Sequence, residues 1–424
     1  MARESHMLLK SAASTIGSAR PDRRGEATEA TMSPDTTLPR SGNHQRRPGR
    51  PPFDWIILLL QGGGALGAYQ AGVYEALAEA DLHPDWTAGI SIGAVNAAII
   101  AGNPPERRVD QLRAFWRFIT QPPLSFFDAG PLTHSAGTMA RQLANQLSAS
   151  NAAFSGVPGF FAPRLPSPWL WPAGTAQATS YYDTRQLEST LERVIDFDRI
   201  NAGAMRLSLG AVNVATGNFT HFDTTTHTIR AVHVMASGAL PPGFPAIEID
   251  GQHYWDGGLV SNTPLQWVVQ NRPQGDTLAF QVDLWNARGD LPTTMAEVTT
   301  RQKEIQYSSR TRAYSDGFKH TQIIRGALAS LLEKLPKEMK DLPEVQLLKG
   351  EAEHNVHNLI QLIYRARKYE GDSKDYEFSR QSMEEHWRAG YHDTVRTLRN
   401  PEVLERPRNR TGLFIFDIDG DGRE

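Results

Sequence analysis

The chain has no cysteine. That excludes disulfides, thiolate metal sites and a cysteine nucleophile, and it suits a reducing compartment. Long hydrophobic runs are missing as well: the most apolar stretch, Trp55–Leu60, has 6 residues, against the roughly 20 that a membrane-spanning helix needs. Neither sign of charge dominates, because 44 Lys and Arg stand against 47 Asp and Glu, a net charge of −3. Such a balance gives no chain-wide reason to bind nucleic acid, and none is expected as a partner. The first fifty or so residues hold no apolar segment of signal-peptide length. Without a spanning segment, a secretion signal or cysteine, the expected location is the cytoplasm.

What is present is the composition of a globular enzyme, with 40% hydrophobic and 21% charged residues in a chain of 424, long enough for two or three domains and an ample core. Residues 1–52, with scattered Ser, Thr, Pro and Arg, read as a disordered, mildly basic tail. Residues 53–289 read as an α/β domain, with an aromatic, lid-like insertion over about 121–180 that holds Phe126, Phe127, Phe154, Phe160, Phe161, Trp169 and Trp171. The alternative is that these rings cover core surface. Residues 290–424 are charge-dense and read as a separate helical region, with helical spacing over 322–335 and 357–369. The terminal Asp417, Asp419 and Asp421 resemble the opening of a calcium loop, but the chain ends before the Glu that would complete it, so an acidic tail is the better reading. No metal and no cofactor is expected.

Inside the α/β domain, the continuous apolar run 56–60 suits a strand covered on both faces. It stops at Gly62-Gly63-Gly64, and helical spacing follows over 65–80. A second strand, Trp86–Ile90, leads into Ser91 and then a small-residue helix over 94–101. This order of strand, helix, strand, helix predicts a parallel sheet. Later strands are expected over 207–214, 219–222 and 278–284, the last of the sheet, with a hairpin over 247–255.

Gly89-Ile90-Ser91-Ile92-Gly93 fits the G-x-S-x-G nucleophile elbow and sits between a predicted strand and a predicted helix. A sharp strand-to-helix turn leaves no room for side chains two positions either side of the serine, and the helix that follows aims its positive end at the reacting centre. The run from Gly62 to Gly67 matches G-x-G-x-x-G and invites a dinucleotide reading. That reading wants an acid at the end of the second strand, but Asp85 precedes the strand and Ser91 occupies its end. Three glycines before a helix serve equally as oxyanion donors or as a plain tight turn. A base is harder to find. The chain has 13 histidines, with His320 and His357 among those downstream of Asp256, and none sits in a glycine-flanked turn. Asp256 does, ahead of Gly257 and Gly258 and of Ser261-Asn262-Thr263-Pro264, where Thr263 is expected to cap a helix opened by proline.

Three motifs thus stand in one order: the glycine-rich loop, G-x-S-x-G and Asp-Gly-Gly. Together with the block from Met235 to Phe244 they resemble the patatin-like phospholipase family over roughly residues 53–285. The resemblance implies a three-layer α/β/α domain with a mainly parallel sheet and calcium-independent hydrolysis of lipid esters. It casts Ser91 as nucleophile, Asp256 as its dyad partner, and the amides of Gly62, Gly63 and Gly64 as the oxyanion hole, with Gly67, Gly89, Gly93, Gly257 and Gly258 completing the motifs. Leu66 stands where many members carry Lys or Arg. The region after 290 is similar to a C-terminal extension of a bacterial subfamily. The expected partner is a lipid ester, phospholipid or lysophospholipid, met through transient contact with a membrane or lipid surface. The rival is a catalytically silent scaffold on a lipid granule or membrane that keeps the fold for binding.

Overall fold

The computed structural model describes residues 50–121, 138–271, 275–352, 354–367, 369–407 and 412–417. The expected tail, apart from residues 50–52, and the rings of Phe126 and Phe127 lie outside that set.

Strands β1 (Trp55–Leu60) and β2 (Trp86–Ile90) form where expected, each followed by a helix, Ala68–Glu79 and Ile92–Ala101. A ladder of two short strands, β3 (Ala162–Pro163) and β4 (Tyr182–Asp183), stands apart. Then come β5 (Arg206–Asn213), β6 (Phe219–Asp223), the hairpin of β7 (Ile247–Ile249) and β8 (Gln252–Asp256), β9 (Thr277–Asp283), β10 (His357–Ile363) and β11 (Leu413–Asp417). The main sheet runs β11-β10-β9-β1-β2-β5-β8-β7, with β6 also on β5. The first six in that order are mutually parallel, and the rest are antiparallel.

β1 shows why the apolar run is continuous. Ile56, Leu58 and Leu60 face one layer of the core and Ile57 and Leu59 the other, as the two-residue period of a strand covered on both faces requires. The first layer holds the helices that follow β1 and β2 and the late helix Arg380–Leu398. The second holds Leu265–Gln270 and the Phe318 stretch of the long helix Met295–Glu333. The architecture is a three-layer α/β/α sandwich with a mainly helical C-terminal region.

Three expectations are corrected. Residues 357–363 are a strand, not a helix, and with β11 they extend the sheet beyond β9, so β9 is not its last strand and the region after 290 does not stand apart. The late helix also crosses the first, with Gly72 and Gly390 each against the other helix's backbone. Within the insertion, Thr138–Ser155 is a helix, and Phe160 and Phe161 pack on Phe244, Tyr182 and Phe378 instead of forming a loose loop. Finally, Pro264 rather than Thr263 precedes the helix Leu265–Gln270, and Thr263 Oγ1 accepts from Gln61 Nε2 at 3.0 Å instead. Among the described residues no helix is long and apolar enough to cross a membrane.

Candidate active site

β2 and β8 meet end to end along one edge of β5. Ile90 pairs with Gly210 and Asp256 with the next residue, Ala211, while β6 occupies the opposite edge. The parallel strand therefore ends where the antiparallel one arrives, and Ser91 and Asp256 converge although 165 positions separate them in sequence (256 − 91).

Ser91 holds φ 56° and ψ −125°, a left-handed conformation that costs a non-glycine residue about 1–3 kcal/mol. The surroundings enforce it. A Cβ on Gly89 would lie 2.2 Å from the Gly93 carbonyl oxygen, and one on Gly93 would lie 2.3 Å from that of Leu60. The Ser91 N–H donates to Ser237 Oγ at 3.1 Å, and Ser237 in turn donates to the Gly210 carbonyl at 2.6 Å. This buried serine lies in the block 235–244 that carries the family resemblance, with no adjacent motif to mark its role.

Asp256 is 2% exposed. Burial raises its carboxyl to about 6, while hydrogen bonds from the Ser91 hydroxyl and from the Gly258 amide, the latter at 2.7 Å, act in the opposite direction. A carboxylate raised in this way is a stronger base for a hydroxyl than one in water.

The glycine loop passes beside the serine: a Cβ on Gly62 would come within 3.0 Å of Ser91 Cβ. Its amides are not equivalent. Gly62 N–H donates to the Asn262 carbonyl at 3.3 Å, which removes it from the expected donor set. No acceptor within the described residues takes the amides of Gly63 and Gly64. Asn262 Nδ2 returns a bond to the Gly62 carbonyl at 2.9 Å, and Trp285 Nε1 donates to the same oxygen at 2.9 Å. Below the loop, Gln61 accepts from the amides of Leu284 and Trp285 at 2.7 and 3.1 Å. Gly67 abuts Ile92, while Gly257 and Gly258 turn the chain after Asp256. Leu66 is fully buried in the core, a place for an apolar side chain. Tyr307, from the long helix, also approaches: burial first, then the charges of Asp256 and Asp375, hold its phenol above the ordinary value.

The histidines named as bases lie elsewhere. His357 pairs with Thr277, which pairs with Trp55, so it sits at the edge of the sheet where β1 begins, whereas Ser91 follows the end of β2. Six residues of strand at about 3.3 Å each separate those edges. His320 is exposed on the long helix. Asp85, the acid of the dinucleotide reading, accepts from the Ile56 amide at 2.8 Å and pairs with Arg50, again at the far edge. Among the described residues no group of three or more His, Asp or Glu is placed to hold a metal ion.

Residues 58–268 match the family model described as Patatin-like phospholipase, and residues 305–410 match a second described as Patatin phospholipase. No curated protein matches the chain. Among solved structures, VipD from Legionella pneumophila is 12% identical with a TM-score of 0.35, covering 82% of this chain and 66% of that one. ExoU of Pseudomonas aeruginosa, solved with SpcU from the type III secretion system, is 17% identical with a TM-score of 0.23, covering 70% and 60%. The chain spans less than two thirds of the length of either.

Proposed function

The chain belongs to the patatin-like phospholipase family, and from that premise we propose that it hydrolyses carboxylic esters of phospholipids or lysophospholipids with Ser91 as nucleophile and Asp256 as base. The observation that carries this reading is the meeting of β2 and β8 on β5, which hydrogen-bonds the Ser91 hydroxyl to a buried carboxylate next to a glycine loop whose Gly63 and Gly64 amides have no acceptor among the described residues.

The chemistry follows from the geometry. Asp256 takes the hydroxyl proton as Ser91 Oγ bonds to the ester carbonyl carbon, and the carbonyl oxygen gathers negative charge near the amides of Gly63 and Gly64. Because a carboxylate remains a modest base, most of the barrier lowering falls to those donors and to the positive end of the helix Ile92–Ala101. Collapse breaks the ester C–O bond, and Asp256 returns the proton to the departing alcohol. Water then attacks the acyl-serine and gives its proton to Asp256, and the fatty acid leaves as Ser91 is restored.

The substrate lies in an interface, and the insertion supplies an apolar surface to meet it. Leu143, Leu147 and Phe154 on the helix Thr138–Ser155 are 58%, 64% and 83% exposed, with Leu165, Trp169 and Leu170 at 86%, 83% and 75%. Docking through this surface is part of the proposal. The test is a fluorophosphonate probe together with fatty-acid release from phosphatidylcholine and lysophosphatidylcholine. Labelling at Ser91 and release from either lipid are the expected outcome. An unlabelled Ser91 in folded protein overturns the hydrolase and returns the silent scaffold.

A further inference from the structure

The region after residue 290 reaches the glycine loop at several points. The Asp375 carbonyl accepts from the Ala65 amide at 2.8 Å. Gly64, at φ 55°, lies so close beneath that oxygen that a Cβ would sit 2.1 Å from it. The Tyr307 carbonyl accepts from Gln61 Nε2 and from Asn262 Nδ2, both at 3.3 Å. Trp285, which holds the Gly62 carbonyl, lies between the Tyr307 ring at 5.2 Å and the Lys374 ammonium at 5.3 Å.

Two crossed ion pairs fasten this wall to itself. Lys303 of the long helix bonds both Asp375 carboxylate oxygens at 2.9 and 3.1 Å and the Asp372 carbonyl at 3.0 Å. Lys374 bonds Glu304 at 2.6 Å with its side chain only 4% exposed. Glu304 is shared with Arg301 at 3.2 Å. Charges this buried persist because they are paired, and removing one partner leaves the other uncompensated.

Three successive glycines have more backbone freedom than any other tripeptide, so the direction of their amides must be set from outside. On one side Asn262 fixes Gly62. On the other, Asp375 fixes Ala65, and Asp375 is held by residues of the C-terminal region. We propose that residues 370–376, clamped to the long helix by Lys303–Asp375 and Glu304–Lys374, are a clasp that keeps the Gly63 and Gly64 amides aimed at the oxyanion, which makes Lys303 and Lys374 positioning residues. The inference rests on the Ser91–Asp256 reading and gives the C-terminal region a part in that reaction.

The test measures kcat and KM of Lys303→Met, Lys374→Met, Asp375→Asn and Lys303→Arg on a soluble chromogenic butyrate ester, alongside amide hydrogen exchange in the peptide 62–67. For the two Met variants kcat is expected to fall about ten- to a hundredfold, short of the roughly hundred- to thousandfold that outright removal of one oxyanion donor costs, with KM within about threefold. Asp375→Asn keeps the carbonyl and loses the ion pair, so its kcat should fall severalfold, and Lys303→Arg should keep more than half the activity. Exchange at 62–67 should quicken in step with the loss. Unchanged kcat and exchange in folded Lys303→Met and Asp375→Asn overturn the clasp. So does a raised KM at constant kcat, which would put the lysines on the substrate. Should Lys374→Met fail to fold, those two variants decide. If the wild type neither hydrolyses esters nor labels at Ser91, the dyad reading fails, and exchange at 62–67 still decides the clasp.

Discussion

At the Ser91 elbow, the atoms that force the turn come from Gly89, Gly93 and the neighbouring strand end at Leu60. At the glycine loop, they come from Asn262, Trp285 and Asp375, some 200 to 300 positions further along the chain. The first turn is built largely by its own strand and helix, with the Leu60 carbonyl of the neighbouring strand and Ser237 completing its shell. The second is flexible by composition and takes its shape from the rest of the protein. A nucleophile can thus be built locally, while the electrostatic half of the site depends on assembly of the whole sheet.

The largest effects should come from the dyad. Ser91→Ala and Asp256→Asn are each expected to lower kcat more than about a thousandfold, with the double variant hardly worse, because the pair acts as a unit. Ester hydrolysis beside a circular dichroism spectrum measures this, and a tenth of the activity left in Asp256→Asn would sink the dyad. The same residue sets the pH response. With its carboxyl near 6, kcat/KM should rise with pH through about 6 as the base ionises. Stability moves the other way. A folded pKa raised above the unfolded value of 3.8 favours the fold most at low pH, and that contribution is lost as pH rises through about 6. Asp256→Asn should therefore raise Tm at pH 7.5, a gain of at most about 3 kcal/mol in stability that should vanish near pH 4. A lower Tm for the variant at pH 7.5 would show that the hydrogen bonds outweigh burial.

Next come variants that separate the two turns. Gly93→Ala drives a Cβ into the Leu60 carbonyl, and the collision lies between strand and helix backbones that have nowhere to move. A loss of about 3 kcal/mol or more is expected in chemical denaturation. Asn262→Ala instead removes one of two donors to the Gly62 carbonyl while Trp285 keeps the other. It should lower kcat about tenfold, with a stability cost near 1–2 kcal/mol. If both variants lose stability alike, the loop is as self-contained as the elbow and the contrast collapses.

The same contrast explains what the chain revealed before its fold was known. Ser91 and Asp256 were legible because each sits in a glycine-flanked turn at a strand end, and such turns are written in adjacent residues. Ser237, Asn262, Tyr307 and Asp375 were not, since each acts on residues far away in sequence. Residue spacing assigns a helix to the strand His357–Ile363 for a related reason. Leu359, Ile360, Leu362 and Ile363 fall at helical spacing, yet the segment is buried on both faces between β9 and β11. A strand in that position has no alternation to show. The orientation of the insertion's rings was equally hidden: Phe160 and Phe161 turn inward, while Phe154 and Trp169 face out.

That division of the rings shapes the smallest predicted effect. Trp171, half-buried with its Nε1 donating to the Pro166 carbonyl at 3.1 Å, is committed to its own turn, whereas Trp169 is 83% exposed. Two basic residues placed to compete for an anionic surface have partners within the protein: Arg365 faces Asp417 at 3.8 Å and Arg367 donates to the Tyr369 hydroxyl at 3.2 Å. Lys368 lies outside the described residues. Docking should therefore be mainly apolar. Trp169→Ala is expected to weaken binding to phosphatidylcholine vesicles severalfold, the scale of one aromatic ring withdrawn from the headgroup boundary. Trp171→Ala should have little effect, and hydrolysis of a soluble short ester should survive both changes. Liposome flotation at low and high salt measures this. Binding that vanishes in high salt and ignores Trp169→Ala would move the membrane surface from the insertion to the charged helices after residue 290, the region already joined to the glycine loop through Asp375.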